Sequence, residues 1–263
     1  MFNRHMSIIL GYYFVMLFSL TYGLLYVKSD KIFGVALPIL AYHNIVTQPG
    51  DKLNTNVNDL RRDLENYKRR GYETIFFDEL IAFCNGERDL PRKTLMITFD
   101  DGYWSNYSLA YPILRQLGMK ATIFIVGCNV GRTTDCVTKQ PIIKHFGDKE
   151  IKEMLASGVI DIQMHTYNLH RENFNMLSIF DMMSADRYTE YVKNDIFAIH
   201  RYIENLGGAP VALAYPYGKY SERAEKALTD AGLQVTLTSE RGINRIYRRA
   251  ECLFGLKRLF PEE

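Results

Sequence analysis

The sequence predicts an α/β protein built on a parallel sheet, either open or closed into a barrel. Three observations lead there. Short apolar runs alternate with amphipathic helical stretches along most of the chain, the pattern of parallel strands joined by helical crossovers. One run, Leu95-Met96-Ile97-Thr98-Phe99, is apolar on both faces, as a strand buried on both sides must be. Several runs also stop at residues able to do chemistry: Tyr42-His43, Phe99-Asp100-Asp101-Gly102 and Met164-His165. Such folds place their sites at the C-terminal ends of strands.

In chain order, Val35 to Tyr42 predicts a strand interrupted by Pro38, and residues 47–56 read as a polar loop. Asn58 predicts the cap of a helix from Asp59 to Arg70, with Leu60, Leu64 and Tyr67 on one face and Gly71 as the stop. A short strand over Thr74 to Phe77, a short helix over Phe77 to Asn85 and the strand over 94–99 follow. Asn106 to Leu117 predicts a helix ended by Gly118, and Ala121 to Val126 a strand. Residues 127–145 show no regular pattern. Beyond them come a helix over Lys149 to Ala156, a strand over Val159 to Met164 and a long amphipathic helix over Asp186 to Asn205. Val211 to Tyr215 predicts a strand, Ser221 to Ala231 a helix, Leu233 to Thr238 a strand and Leu253 to Phe260 a last one. There is no internal repeat and no low-complexity segment.

The 263 residues suffice for one large α/β domain or two small ones, and 47% hydrophobic with 24% charged residues is ordinary globular composition. A net charge of +2 makes no case for nucleic acid. Ser7 to Tyr26 carries no charge. As a helix it would span ~30 Å, the thickness of a bilayer's hydrocarbon core. Tyr12, Tyr13, Tyr22 and Tyr26 lie toward its ends, where an interface would hold them. The run reads as an uncleaved anchor over residues 7–27, after a short tail at 1–6 and before a linker at 28–35. A cleaved signal peptide would have a shorter apolar core and a small-x-small site directly behind it. Arg4 before the run and Lys28 and Lys31 after it do not set an orientation. Cys84, Cys128, Cys136 and Cys252 lack zinc-site spacing. A disulfide between Cys128 and Cys136 would close a polar loop outside the cell, and two unrelated thiols fit the sequence equally well.

Two adjacent acids at a strand end can serve one pocket only if the backbone turns there, which Gly102 permits. Packed together without a cation they would repel until one held its proton. A divalent cation removes the conflict, one acid binding it and the other staying free as a base. An Asx-type turn closing a strand would use the same residues. His165 and His170, five apart, do not share a helical face, so a loop must bring them together. With Asp101 they would form a His, His, carboxylate set with an open position, the pattern of hydrolytic metal sites; otherwise they are solvated loop groups. Tyr215-Pro216-Tyr217-Gly218 reads as a proline turn, which can also aim a backbone N–H at an oxyanion.

Thr98-Phe99-Asp100-Asp101-Gly102, then His165-Thr166 with a later His170, then Tyr215-Pro216-Tyr217, resembles the polysaccharide deacetylase family, the NodB-homology or carbohydrate esterase 4 group, from about residue 36 to 260. The resemblance implies a distorted (β/α) barrel of about seven strands over 36–263, with the site at the strands' C-terminal ends. It implies Asp100 as catalytic base, Asp101, His165 and His170 as metal ligands, and the Tyr217 backbone N–H at the oxyanion. Three departures stand out. One extra residue separates the histidines, Ala214 stands where the family's third motif has arginine, and Leu256-Lys257-Arg258 lacks the usual C-terminal histidine. Each is also a feature of the branch similar to poly-N-acetylglucosamine deacetylases, whose acid histidine lies near the start of the domain, where Tyr42-His43 matches. His43 is therefore expected to be the general acid. Of the other histidines, His5 precedes the anchor run, His145 falls in the irregular stretch and His200 inside a long helix.

The implied function is metal-dependent removal of N-acetyl groups from an acetylated extracellular or cell-wall polysaccharide. The enzyme would be a single-pass protein of the cell membrane with its catalytic domain outside. Zinc suits the ligand set, and iron, nickel or cobalt would fit it. An O-acetyl esterase of xylan type, or a weakened, membrane-tethered carbohydrate-binding protein, are the other readings. Both aspartates argue against the last, since binding alone needs no free base beside a metal ligand.

Overall fold

The computed structural model describes residues 34–49, 51 and 53–261. The expected anchor at 7–27 and most of the linker lie outside them. Among the described residues no helix is long and apolar enough to cross a membrane.

Seven parallel strands form the frame: β1 (Ile39–Tyr42), β2 (Thr94–Phe99), β3 (Ala121–Ile125), β4 (Ile160–Met164), β5 (Ala212–Ala214), β6 (Val235–Arg241) and β7 (Leu256–Arg258). Each pairs with the next in sequence, and β2 also takes the two-residue strand Glu73–Thr74 on its free half. The sheet closes on itself where Leu259 donates to the Ile39 carbonyl at 2.7 Å and accepts from Ala41 N–H at 2.8 Å. The result is the barrel that the alternation of strands and helices left open as one of two outcomes. Pro38 ends the preceding strand Val35–Leu37, which pairs antiparallel with Asn244–Ile246 instead of continuing into β1.

The double-sided apolar runs serve two cores. Ile39, Met96, Phe124, Ala214, Leu237 and Leu256 fill the barrel, joined by Val35, Leu37 and Ile246 from the antiparallel pair. Leu40, Leu95, Ile97, Ile123, Ile162 and Leu213 point outward against the helices. Those helices are α1 (Val57–Arg69), α3 (Tyr111–Leu117), α4 (Asp148–Ala156), α5 (Ala185–Asn205) and α6 (Glu222–Asp230), whereas α2 (Phe77–Cys84) packs Phe77, Leu80 and Phe83 with the barrel residues.

Helix starts differ from the sequence reading by a residue or two. Helix α1 begins earlier than expected because Asn56, not Asn58, is its cap: the Asn56 side chain accepts from Asn58 N–H at 2.8 Å. The supposed strand Thr74–Phe77 is cut short because Glu79 reaches back to Phe76 N–H and starts α2. The polar loop 47–56 contains a strand, Asn54–Asn56, parallel to Asn44–Val46 and tied to it by Asn44 Nδ2 donating to Asn54 Oδ1 at 2.7 Å. The helix expected from Asn106 opens with a π turn over Asn106–Ala110 before α3, a device common beside functional sites.

Candidate active site

All the residues singled out from the sequence gather at one mouth of the barrel. His43 follows β1, Asp100 and Asp101 follow β2, His165 follows β4, and Tyr217 follows β5. His170 opens a two-residue strand, His170–Arg171, on the loop beyond β4. The turn that lets both aspartates serve one site begins at Asp101 itself, at φ 73°, and continues through Gly102 at φ 82°. Aspartate tolerates this left-handed region better than most residues. A side chain on Gly102 would meet Ile125 Cγ2 at 3.0 Å, so β3 as well as the turn requires glycine there. Thr166 (φ 70°) and Tyr217 (φ 58°) are left-handed too. For a β-branched residue this is a real strain, of order 1–3 kcal/mol, and such strain concentrates at functional sites.

Asp101, His165 and His170 bring one carboxylate oxygen and two imidazole nitrogens within 4.8 Å of one another. His170 Nε2 lies 3.0 Å and His165 Nε2 3.5 Å from Asp101 Oδ1, yet that buried oxygen takes no aligned hydrogen bond. His165 Nδ1 sits 2.7 Å from the Ala214 carbonyl, which makes Nδ1 the donor and leaves the Nε2 lone pair facing Asp101. An orphaned carboxylate oxygen facing two imidazoles, one with its tautomer fixed from behind, is a donor set that fits a divalent ion. His145, which the sequence left in an irregular stretch, is buried beside the Tyr103 ring at 5.1 Å and is not part of the set.

The charges agree with that reading. Burial lowers the His165 pKa to about 4, so the ring is neutral at neutral pH. Burial also acts to lower His170, but the Asp101 charge outweighs it and holds His170 above the ordinary imidazole value. Burial would raise the Asp101 carboxyl, yet His170, His165 and His43 together keep it well below the carboxylate range. An ion entering here must displace the proton on His170. Binding should therefore release protons into weakly buffered solution at neutral pH, and affinity should fall as pH drops through the His170 pKa. Calorimetry in buffers of different ionisation enthalpy checks this. Proton-neutral uptake at pH 7 would contradict it.

Asp100 is separate from that set and tied elsewhere. Arg258 Nη1 donates to its Oδ1 at 2.7 Å, and both side chains are 2% exposed. Arg258 Nε donates to the Thr238 carbonyl. Burial raises the Asp100 carboxyl, but Arg258, His165 and His43 overcome it and keep the group ionised below its usual pKa. His43 Nε2 stands 3.7 Å from the other oxygen, Oδ2, and its ring lies along Phe260. The backbone of His43 is held from the segment behind the aspartates, where Asn106 Nδ2 donates to the His43 carbonyl at 2.7 Å. Tyr217 stacks on His170 at 5.0 Å. Gly218 beside it admits no side chain, which would fall 1.9 Å from Ser239 Oγ.

Arg258, Asp195 and Tyr103 belong to the site and were not found from the sequence. The arginine absent at position 214 does not leave the site without a guanidinium, because β7 supplies Arg258. Asp195 of α5 accepts from Tyr167 and Asn168 N–H at 2.7 and 2.8 Å, cradling the histidine loop where it carries its extra residue. Burial raises its pKa to about 6. Burial, and the Asp101 charge beside it, push the Tyr103 hydroxyl well above the ordinary tyrosine range. From the opposite side, Gly127 and Cys128 N–H donate to Thr166 and Tyr167 carbonyls, and a Cys128–Cys136 disulfide closes the loop they start. Arg258 and Asp195 left a trace in the sequence. Arg258 is the charged residue in the inward register of Leu256-Lys257-Arg258, and Asp195 lies on the apolar stripe of Tyr188, Val192, Ile199 and Ile203.

A parallel barrel with a buried ionised carboxylate beside a His, His, carboxylate set is the arrangement of a barrel hydrolase. Comparison with known proteins gives the family. The polysaccharide deacetylase family profile matches residues 87–236. A putative polysaccharide deacetylase of Bacillus subtilis (strain 168), YxkH, is 30% identical over 217 residues, covering 82% of this chain and 68% of that protein. The chain belongs to the polysaccharide deacetylase family. It is also 23% identical over 233 residues to the poly-beta-1,6-N-acetyl-D-glucosamine N-deacetylase of Escherichia coli (strain K12), covering 78% of this chain but only 34% of that longer protein. The fold matches that of IcaB from Ammonifex degensii with a TM-score of 0.70 at 24% identity, over 86% of this chain and 92% of that one.

Proposed function

We propose that this protein is a metal-dependent N-deacetylase of a poly-N-acetylglucosamine-type polysaccharide outside the cell. The observation that carries the reading is the division of labour between the two adjacent aspartates. Asp101 faces two imidazoles with an unsatisfied oxygen, while Asp100 is ionised, paired with Arg258 and turned toward His43.

A divalent ion held by Asp101, His165 and His170 would supply Lewis acidity at the acetyl carbonyl and a lowered pKa for water. Asp100 accepts the proton of the attacking water at Oδ2, since Oδ1 is engaged by Arg258. The Tyr217 backbone N–H, presented by its left-handed turn, donates to the oxyanion. His43 gives a proton to the departing amine, whose expulsion is otherwise unfavourable. Its 3.7 Å separation from Asp100 Oδ2 lets a proton taken by the base be returned through the imidazole.

His43→Ala is expected to keep fold and metal content. It should depress turnover most on N-acetyl substrates with poor amine leaving groups, and much less on an activated aryl acetate whose leaving group needs no proton. Equal losses on both would remove the acid role.

The O-acetyl alternative uses the same groups but needs no acid for its leaving alkoxide to the same degree. Turnover of one glycan bearing either N-acetyl or O-acetyl groups separates the two, and the deacetylase reading expects the N-acetyl form to be preferred. For location, the proposal is a single-pass protein of the cell membrane, anchored through residues 7–27 with the barrel outside. The uncharged run and a disulfide of the kind oxidising compartments favour support it. The full chain should resist carbonate extraction from membranes, with its barrel open to protease added to spheroplasts. Protection in intact spheroplasts would overturn this placement.

A further inference from the structure

The two imidazoles reach the site by different routes. His165 directly follows β4 and is held where it stands: its backbone N–H donates to the Ile125 carbonyl at 3.0 Å, and the Ala214 carbonyl fixes the ring from behind. His170 lies further on, past the left-handed turn at Thr166, so the loop between the two sets its approach to Asp101. The extra residue between the histidines lengthens that loop and raises the entropy its ordering must overcome.

The loop is gripped along one stretch from two sides. On its N–H side, Tyr167 and Asn168 donate to the two oxygens of Asp195 at 2.7 and 2.8 Å, one each. On its carbonyl side, Gly127 and Cys128 N–H donate to the Thr166 and Tyr167 carbonyls at 3.1 and 2.9 Å. A side chain on Gly127 would meet the Tyr167 ring at 2.6 Å, so this close approach requires glycine. Both sulfurs of the Cys128–Cys136 disulfide lie against Asn168 Oδ1, at 3.5 and 3.4 Å, and Arg171 Nη1 donates to the same oxygen at 2.9 Å. Within the loop, Leu169 N–H donates to the Thr166 hydroxyl at 3.2 Å.

Asp195 is costly where it sits. It is buried and shares the apolar stripe of α5 with Tyr188, Val192 and Ile199. A helix packed for stability alone would carry an apolar residue there. What the carboxylate supplies is two acceptor oxygens in one plane for two successive N–H groups, in charge-assisted bonds. An amide in its place would turn an NH2 group toward one of those donors.

We propose that Asp195 is a positioning residue for the metal: through the Tyr167 and Asn168 N–H groups it holds the loop in the conformation that brings His170 to Asp101 before any ion arrives. It acts through the loop and touches neither ion nor substrate. The inference rests on the proposed metal dependence. With the loop held, an ion meets a site already formed. With it released, ordering the loop offsets part of the binding free energy, and affinity falls.

The test is the zinc affinity of the full chain in detergent, by calorimetric competition with a chelator above pH 7, with Tm of the metal-free protein measured beside it. Asp195→Asn and Asp195→Leu should each bind zinc ~10–100-fold more weakly than wild type. Leucine suits the apolar stripe and keeps the test valid if the asparagine variant fails to fold. Val192→Ala loosens the same face of α5 one turn away without touching the loop, and should lower Tm while keeping zinc affinity. In metal-free wild type the Tyr167 and Asn168 amides should already resist hydrogen exchange. Wild-type zinc affinity in folded Asp195 variants, an equal loss in Val192→Ala, or amide protection that appears only with zinc overturns the positioning role. Zinc binding that Asp101→Asn does not weaken would instead refute the metal site of the proposed function, and this inference with it.

Discussion

Asp100→Asn is expected to fold, to bind metal as wild type does and to release acetate ~10²–10⁴-fold more slowly, the usual cost of removing a general base. The amide keeps the shape and can still meet Arg258, but it cannot take a proton from water. Metal content should survive because the orphaned oxygen that faces His165 and His170 belongs to Asp101, not Asp100. Single-turnover acetate release with metal analysis on the same sample checks both halves. Near-normal turnover by a metal-loaded Asp100→Asn protein would refute the role.

The second large effect is on Arg258. It and Asp100 are both buried, and removing one member of such a pair leaves the other charge uncompensated, at a cost of ~3–5 kcal/mol. For a domain of this size that lowers Tm on the order of 10 °C. Arg258→Met should also change chemistry. Burial already pushes the Asp100 carboxyl up, and Arg258 is the first of the groups opposing it. Without the guanidinium the pKa rises. The base is then ionised only at higher pH, and the acid limb of the pH–rate profile moves upward. The linkage has the matching sign. With Arg258 present the folded Asp100 pKa is depressed, so the pair's stabilisation is present above the unfolded carboxyl pKa and fades as pH falls through the folded one. The double variant Asp100→Asn/Arg258→Met should recover part of the lost Tm, because no charge is left buried. A Tm loss with an unmoved acid limb would make Arg258 a structural residue only.

The sequence revealed the parts of the site that are local. Phe99-Asp100-Asp101-Gly102 carries its strand, its turn and its two acids in a few residues, and the histidine loop likewise announces itself at the end of an apolar run. What it could not reveal depends on partners far along the chain. Arg258 meets Asp100 only because β7 closes the barrel against β1, a contact between residues 158 apart. Asp195 reads as an oddity on an apolar helix face until the loop it cradles is placed beneath it. The strand pair Asn44–Val46 and Asn54–Asn56 escaped because it is held by asparagine side chains rather than an apolar pattern. Alternation predicted a parallel sheet without deciding between open and closed. The deciding bonds are those of Leu259 to Ile39 and Ala41, which no periodicity encodes.

The central claim is tested most directly by counting products. The full chain in detergent would be incubated with a β-1,6-linked N-acetylglucosamine oligomer, and acetate released and primary amines formed on the sugar measured together, after chelation and after restoring a divalent metal. The account predicts equal amounts of acetate and amine, abolished by chelation and recovered with the metal. Acetate without new amines, or turnover indifferent to chelation, would contradict it.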